Sequence, residues 1–152
     1  MNNTIHSSDD FEGMRKAGNL AASTLDLLVE KVKPGVSTEE LDNIAFDYIV
    51  RHGGLIAPLF YKGYPKSVCT SINHVICHGI PSSRILENGD IVNIDVTVIV
   101  DGWHGDTSRM FPVGKINAKA QKLIDCTFHA MHEGINAAQP DATLGDIGSA
   151  IQ

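Results

Sequence analysis

Between Ile91 and Val100 the side chains alternate, with Val92, Ile94, Val96, Val98 and Val100 on one side and Ile91, Asn93, Asp95, Thr97 and Ile99 on the other. A period of two is that of a β-strand, whose successive side chains point to opposite faces. Asp101-Gly102 follows, a dipeptide suited to a type I′ hairpin turn, where both central residues need positive φ. The chain is therefore predicted to turn back through Trp103 to Phe111. With a two-residue turn, Val100 opposes Trp103, Ile99 opposes His104, Val98 opposes Gly105 and Thr97 opposes Asp106. Asp95 shares the face of Thr97 and is diagonal to Asp106, a backbone separation of about 7–8 Å. A bulge at Gly105 would turn Asp106 to the opposite face.

Elsewhere the period is helical. Ser7 or Ser8, followed by Asp9, Asp10 and Glu12, predicts a helix start with acidic groups at the favourable end of the dipole. Leu20, Thr24, Leu27, Leu28 and Val32 form its apolar stripe, and Pro34-Gly35 ends it. Ser37 with Glu40 reads as a capping box for a second helix through Leu41, Ile44 and Tyr48 toward His52-Gly53-Gly54. From Leu55 the β-branched and aromatic residues, punctuated by Gly and Pro, read as strands and loops. A third helix is expected from about Ala118 to about Ala137, burying Ile124, Phe128, Met131 and Ile135 and exposing Asp125, His129, His132 and Glu133. Pro140, Thr143 and Ile147 each lie 106 residues after Pro34, Ser37 and Leu41. The pattern of long helix, proline turn, capping residue and second helix thus occurs twice, which predicts a duplicated architecture cut within its second half.

Composition narrows the class. The 152 residues are 43% hydrophobic and 20% charged, as in globular proteins, which excludes collagen-like, disordered and membrane-spanning chains. Three cysteines, with no basic-then-apolar leader at Met1–His6, argue for reduced thiols in the cytoplasm rather than a disulfide framework. A net charge of -6 disfavours nucleic acid or an anionic membrane as the main partner.

The chemistry concentrates on one face of the expected hairpin: Asn93, Asp95, Thr97, His104, Asp106 and Ser108. Spacing alone fits a solvated sheet face equally well. That face, however, has none of the lysine or glutamate that solvates ordinary sheets, and two close carboxylates repel unless a proton or a cation neutralises them. Oxygen donors with imidazole nearby suit Mn, Fe, Co or Zn, and a paired site would hold two ions roughly 3.5–4 Å apart. His78, in Cys77-His78-Gly79-Ile80-Pro81, could reach into a cleft, although an isolated histidine is more often structural. Tyr61, Tyr64 and Cys69 could wall an apolar pocket or be plain core. His129 and His132 look like a solvated helix face, and Cys69, Cys77 and Cys126 lack zinc-knuckle spacing.

Tyr61 to Asn73 (YKGYPKSVCTSIN), Cys77 to Pro81 (CHGIP), Asp90 to Thr97 (DIVNIDVT) and His104 to Ser108 (HGDTS) together closely resemble type I methionine aminopeptidases of the bacterial form, a likeness running from about Asp9 to Gln152. The resemblance implies an α+β pita-bread fold, two pseudo-symmetric halves of helices over a curved antiparallel sheet. Residues 1–8 would form a tail, 9–116 the first half and 117–152 the start of the second. It further implies two divalent ions (Co, Mn, Fe or Zn), with Asp95 a terminal ligand of one and Asp106 bridging both. His78 would contact substrate near the scissile amide, Tyr61, Tyr64 and Cys69 would line the methionine pocket, and Thr97 would stand close behind the metals.

The implied reaction is removal of the initiator methionine from new proteins with a small second residue, by metal-hydroxide attack on the first peptide bond. The implied substrates are N-termini of nascent polypeptides, met at the ribosome, and the full-length form is expected to be a cytoplasmic monomer. One histidine and two glutamates of the family's ligand set, together with its general base, match nothing before Gln152. The chain alone is therefore expected to be inactive; the alternative is a truncated, non-catalytic binding or regulatory module. A proline-specific pita-bread peptidase is disfavoured by the CHGIP turn. Asn2, large for a second residue, predicts that Met1 is retained.

Overall fold

The computed structural model describes residues 5–152, so the expectation for Met1 lies outside the described residues. The chain divides into two compact units between Lys115 and Ile116. The first opens with α1 (Ser8–Leu28), capped by Ser7. The Ser7 hydroxyl accepts from the Asp10 amide, and the Asp10 carboxylate accepts from the Ser7 N–H at 2.7 Å. That reciprocal bonding, chiefly from the Ser7 amide, holds the Asp10 carboxyl below its ordinary pKa. α2 (Thr38–Arg51) starts at Ser37, whose hydroxyl accepts from the Glu40 amide at 3.1 Å; the return bond from the Glu40 side chain is not made.

Four antiparallel strands follow: β1 (Leu55–Ile56), β2 (Cys69–Ile72), β3 (Ile91–Val100) and β4 (Trp103–Pro112). β3 is central. β4 pairs along its whole length with Val100 opposite Trp103 and Thr97 opposite Asp106, the expected register, and no bulge forms at Gly105. β2 and β1 take the other edge, Cys69 opposite Asp95 and Leu55 opposite Ile99. Asp101 and Gly102 have φ of 51° and 86°, as the type I′ turn requires.

The even-numbered side of β3 is the core. Val92, Ile94, Val96 and Val98 are fully buried with Leu25 and Leu28 of α1 and Leu41, Ala45 and Ile49 of α2. Each such aliphatic side chain contributes about 1.5–3 kcal/mol relative to exposure. α1 crosses close over β4 at Gly105, where a Cβ would lie 2.2 Å from the Ala17 carbonyl carbon.

Two details of α1 differ from the sequence pattern. The buried stripe runs Ala17, Ala21, Thr24, Leu25 and Leu28, so Leu25 replaces Leu27 as its core residue. The helix also stops at Leu28 rather than at Pro34-Gly35, because the following segment pairs with distant chain. The Gly35 N–H donates to the Leu86 carbonyl at 2.9 Å, and the Leu86 N–H to Val36 at 2.8 Å. α2 buries Ile49 and Asp42 while Ile44 and Tyr48 remain half-buried.

The second unit is a helical hairpin of α3 (Ala118–Ala137) and α4 (Leu144–Ile151). Asn117 caps α3, and Thr143 caps α4 in a reciprocal box with Asp146. The two helices meet at Gly134, where a Cβ would lie 2.7 Å from Ile151. The apolar stripe of α3 is not buried as expected: Phe128, Met131 and Ile135 are 56%, 45% and 58% exposed, and Ile124 is half-buried. Within this unit the seam between the helices includes Gly134, Ile147 and Ile151, and it leaves most of the stripe exposed. No helix among the described residues is long and apolar enough to cross a membrane.

Candidate active site

Opposed residues of antiparallel strands share a face, so the register lays out the odd-numbered side of β3 row by row. Cys69, Asp95 and Ser108 form one row, Ser71, Asn93 and Met110 the next, and Thr97 with Asp106 the row on the other side. Asp95 and Asp106 are diagonal neighbours on this face. Asp95 is half-buried and Asp106 exposed. Burial, then the charge of Asp106, pushes the Asp95 carboxyl above its ordinary pKa, while nearby His78 opposes the shift. Asn93 Nδ2 donates to Ser108 Oγ at 3.4 Å, and Thr97 is half-buried beside the pair.

His78 comes to this face on the turn after β2. Its φ is +56°, a left-handed conformation unusual outside glycine. The next residue must be glycine, since a Cβ at Gly79 would lie 2.2 Å from the Thr70 carbonyl oxygen. Gly79 is tied on both sides: its N–H donates to Ser71 Oγ at 3.1 Å, and its carbonyl accepts from the Thr70 N–H at 2.7 Å.

Tyr64 and Cys69 sit together next to Asp95. Burial raises the Cys69 thiol pKa, the neighbouring Tyr64 hydroxyl counteracts it, and the Asp95 and Asp106 charges add to it. Burial likewise pushes the Tyr64 phenol up. Tyr61 has a 65% exposed side chain, with Lys62 Nζ 5.4 Å from its ring centre, and meets Tyr64 through the backbone, its carbonyl accepting from the Tyr64 N–H at 2.9 Å. His129 and His132 are both exposed on α3, and His129 Nδ1 lies 2.7 Å from the Asp125 carbonyl.

Asp42 is a builder of this region that the sequence pattern did not single out. It is buried on α2, and its Oδ1 accepts from the Ser67 and Val68 amides at 2.7 and 3.1 Å. The signal was available: Thr38, Leu41, Asp42, Ala45 and Ile49 form the buried stripe, so a carboxylate occupies an apolar face. Such a group is retained only where donors meet it.

The Asp95–Asp106 pair is suited to sharing a divalent cation. Two neighbouring carboxylates that repel one another, one of them half-buried, are relieved by positive charge, and oxygen donors match hard or borderline ions. Among the described residues, however, no group of three or more His, Cys, Asp or Glu side chains is arranged to hold a metal ion. A cleft of about 250 Å³ opens instead on the helix-facing side of β2, between Thr38, Thr70, Ile72, Ile80 and Arg84, and does not contain the carboxylates.

Comparison with known proteins identifies the family and the fold. The model of the family described as metallopeptidase family M24 matches residues 12–152. The methionine aminopeptidase of Rickettsia prowazekii (strain Madrid E) is 57% identical over 97% of this chain, and that of Escherichia coli (strain K12) is 52% identical over 98%. The chain spans 57% of the length of each of these relatives. The crystal structure of the Rickettsia prowazekii enzyme superposes with a TM-score of 0.97, covering 98% of this chain and 60% of that one. The methionine aminopeptidase of Thermotoga maritima, 27% identical, gives 0.95 with the same two coverages. The fold is accordingly the α+β pita-bread fold of these structures.

Proposed function

Because the chain belongs to metallopeptidase family M24, we propose that its β3–β4 face supplies the first ligands of a methionine aminopeptidase centre. The convergence of Asp95 and Asp106 on one face of an unbulged hairpin carries this reading. In it, Asp95 and Asp106 would be among the residues that hold two divalent ions (Co, Mn, Fe or Zn), with Thr97 supporting the two carboxylates. Ions bound there supply Lewis acidity and lower the pKa of a water molecule toward neutrality. His78 binds the substrate near the scissile amide and steadies negative charge developing on its carbonyl oxygen. Tyr64 and Cys69 wall the methionine side chain, and Tyr61, now exposed, closes the pocket from outside. The substrate class is the N-terminus of a nascent polypeptide with a small second residue, met in the cytoplasm at the ribosome by a monomeric enzyme.

Two carboxylates cannot fill two coordination spheres. The 152 residues alone are expected to bind metal weakly and to hydrolyse a Met-Ala-Ser peptide no faster than an Asp95→Ala, Asp106→Ala double variant. The decisive experiment is a chimera in which this chain replaces the matching part of the Escherichia coli relative. It should cleave Met-Ala-Ser in the presence of Mn or Co and lose at least a hundredfold on Asp95→Ala. A folded but inactive chimera would favour the second reading, a non-catalytic binding module, which the missing third ligand among the described residues supports.

A further inference from the structure

The His78 turn is held in a strained conformation, and its support can be traced back to α2. A non-glycine residue at φ +56° is strained and persists only where its surroundings over-determine it. Gly79 is where that happens. Besides the Ser71 and Thr70 bonds, its carbonyl lies 3.1 Å from the Tyr64 hydroxyl, which also lies 2.9 Å from the Val68 carbonyl. The phenol proton is shared between these two acceptors, so Tyr64 ties the chain leading into β2 to the turn leaving it. Val68 is itself fixed, because Asp42 Oδ1 accepts both its amide and that of Ser67. Asp42 is 4% exposed, and Lys66 Nζ lies 3.9 Å from its other oxygen.

We infer that Asp42 and the Tyr64 hydroxyl are positioning residues, a strut from α2 through Val68 to Gly79 that holds the His78 imidazole toward the carboxylate pair. The ring of Tyr64 can wall a pocket without its hydroxyl; the hydroxyl serves the turn. This deepens the proposed active-site reading and rests on it for the purpose of His78. The geometry of the strut itself requires no metal or substrate.

The test uses the full 152-residue chain, ¹⁵N-labelled, with amide hydrogen exchange read residue by residue in wild type, Tyr64→Phe, Asp42→Ala and Asp42→Asn. Tyr64→Phe keeps the ring, and should speed exchange at Gly79 and Thr70 about tenfold while the amides of Leu25 and Val96 stay within about twofold. The His78 Cε1–H resonance, recognised by its loss in His78→Gln, should move by more than its linewidth at fixed pH. A general loss of stability would leave that resonance in place. Asp42→Ala should expose the Ser67 and Val68 amides and pass part of the effect to Gly79; Asp42→Asn, which keeps an oxygen acceptor, should restore most of the protection. If Asp42→Ala does not fold, the Asn variant and Tyr64→Phe carry the test. Unchanged Gly79 exchange and an unmoved His78 resonance in Tyr64→Phe would overturn the strut. An inactive chimera with these responses intact would remove the enzymatic reading alone.

Discussion

The two faces of the β3–β4 hairpin come from the same twenty-two residues of chain yet obey different rules. On the helix-facing side Val92, Ile94, Val96 and Val98 are fully buried, and Gly105 admits the backbone of α1. On the other side Asp95 and Thr97 are half-buried, and His104, Asp106 and Ser108 are exposed. The first face gains stability from burial, where any lost contact is felt. The second gains little from its side chains, and in Asp95 and Asp106 it sets two like charges side by side. A sheet that spends polar residues this way is stabilised from one side only, and the other side is free to carry chemistry.

The sharpest way to test that asymmetry is to change one residue on each face of β4. Gly105→Ala should lower the free energy of unfolding in urea by at least about 3 kcal/mol, because the new methyl meets backbone rather than a flexible side chain. Ser108→Ala, three residues on and facing the other way, should change it by no more than about 0.5 kcal/mol. Comparable losses at both sites would mean that the open face is also structural.

This hairpin was legible in the sequence because everything that defines it is local: a strict alternation, a two-residue turn and a register counted from that turn. The Asp95–Asp106 diagonal followed by arithmetic. What the pattern missed was set by distant partners. α1 stops at Leu28 because residues 35 and 36 pair with Leu86, fifty residues away. The α3 stripe has helical spacing, yet spacing says only that a face is apolar, not that anything covers it. Asp42 was passed over although its place on the stripe of Leu41, Ala45 and Ile49 was readable, because a carboxylate on a helix usually marks the solvent side and the Ser67 and Val68 amides that receive it carry no sequence signature.

Thr70 breaks the rule of the apolar face. It lies opposite Ile94 on the helix-facing side, is 4% exposed, and its hydroxyl is buried with no hydrogen-bond partner. A buried hydroxyl that has given up water for nothing is a net cost, and valine has nearly its shape. Thr70→Val should therefore leave stability unchanged or raise it by about 1 kcal/mol in urea unfolding. A loss of that size would show that the hydroxyl is bonded in solution and that the face is less strictly apolar than its burial indicates.

The smallest effect belongs to the open face and depends on pH. Burial and the neighbouring Asp106 raise the Asp95 carboxyl above its ordinary value of 3.8 in the folded, metal-free chain. Raising an acid's pKa on folding favours the protonated form, so its contribution to stability is fully present below the unfolded pKa and is lost as pH rises through the folded one. Asp95→Asn removes that titration. The variant and the wild type should be about equally stable near pH 3.5, and by pH 7 the variant should be ahead by on the order of 0.5 kcal/mol, the size of one unfavourable cross-strand pair. On the proposed reading, adding Mn or Co at pH 7 should reverse the order, since a cation held by both carboxylates would stabilise the folded wild type by mass action, while the amide would give it a weaker hold. A variant that stays ahead in saturating metal would show that the repulsion on this face is an accident of two polar residues rather than a place kept for a cation.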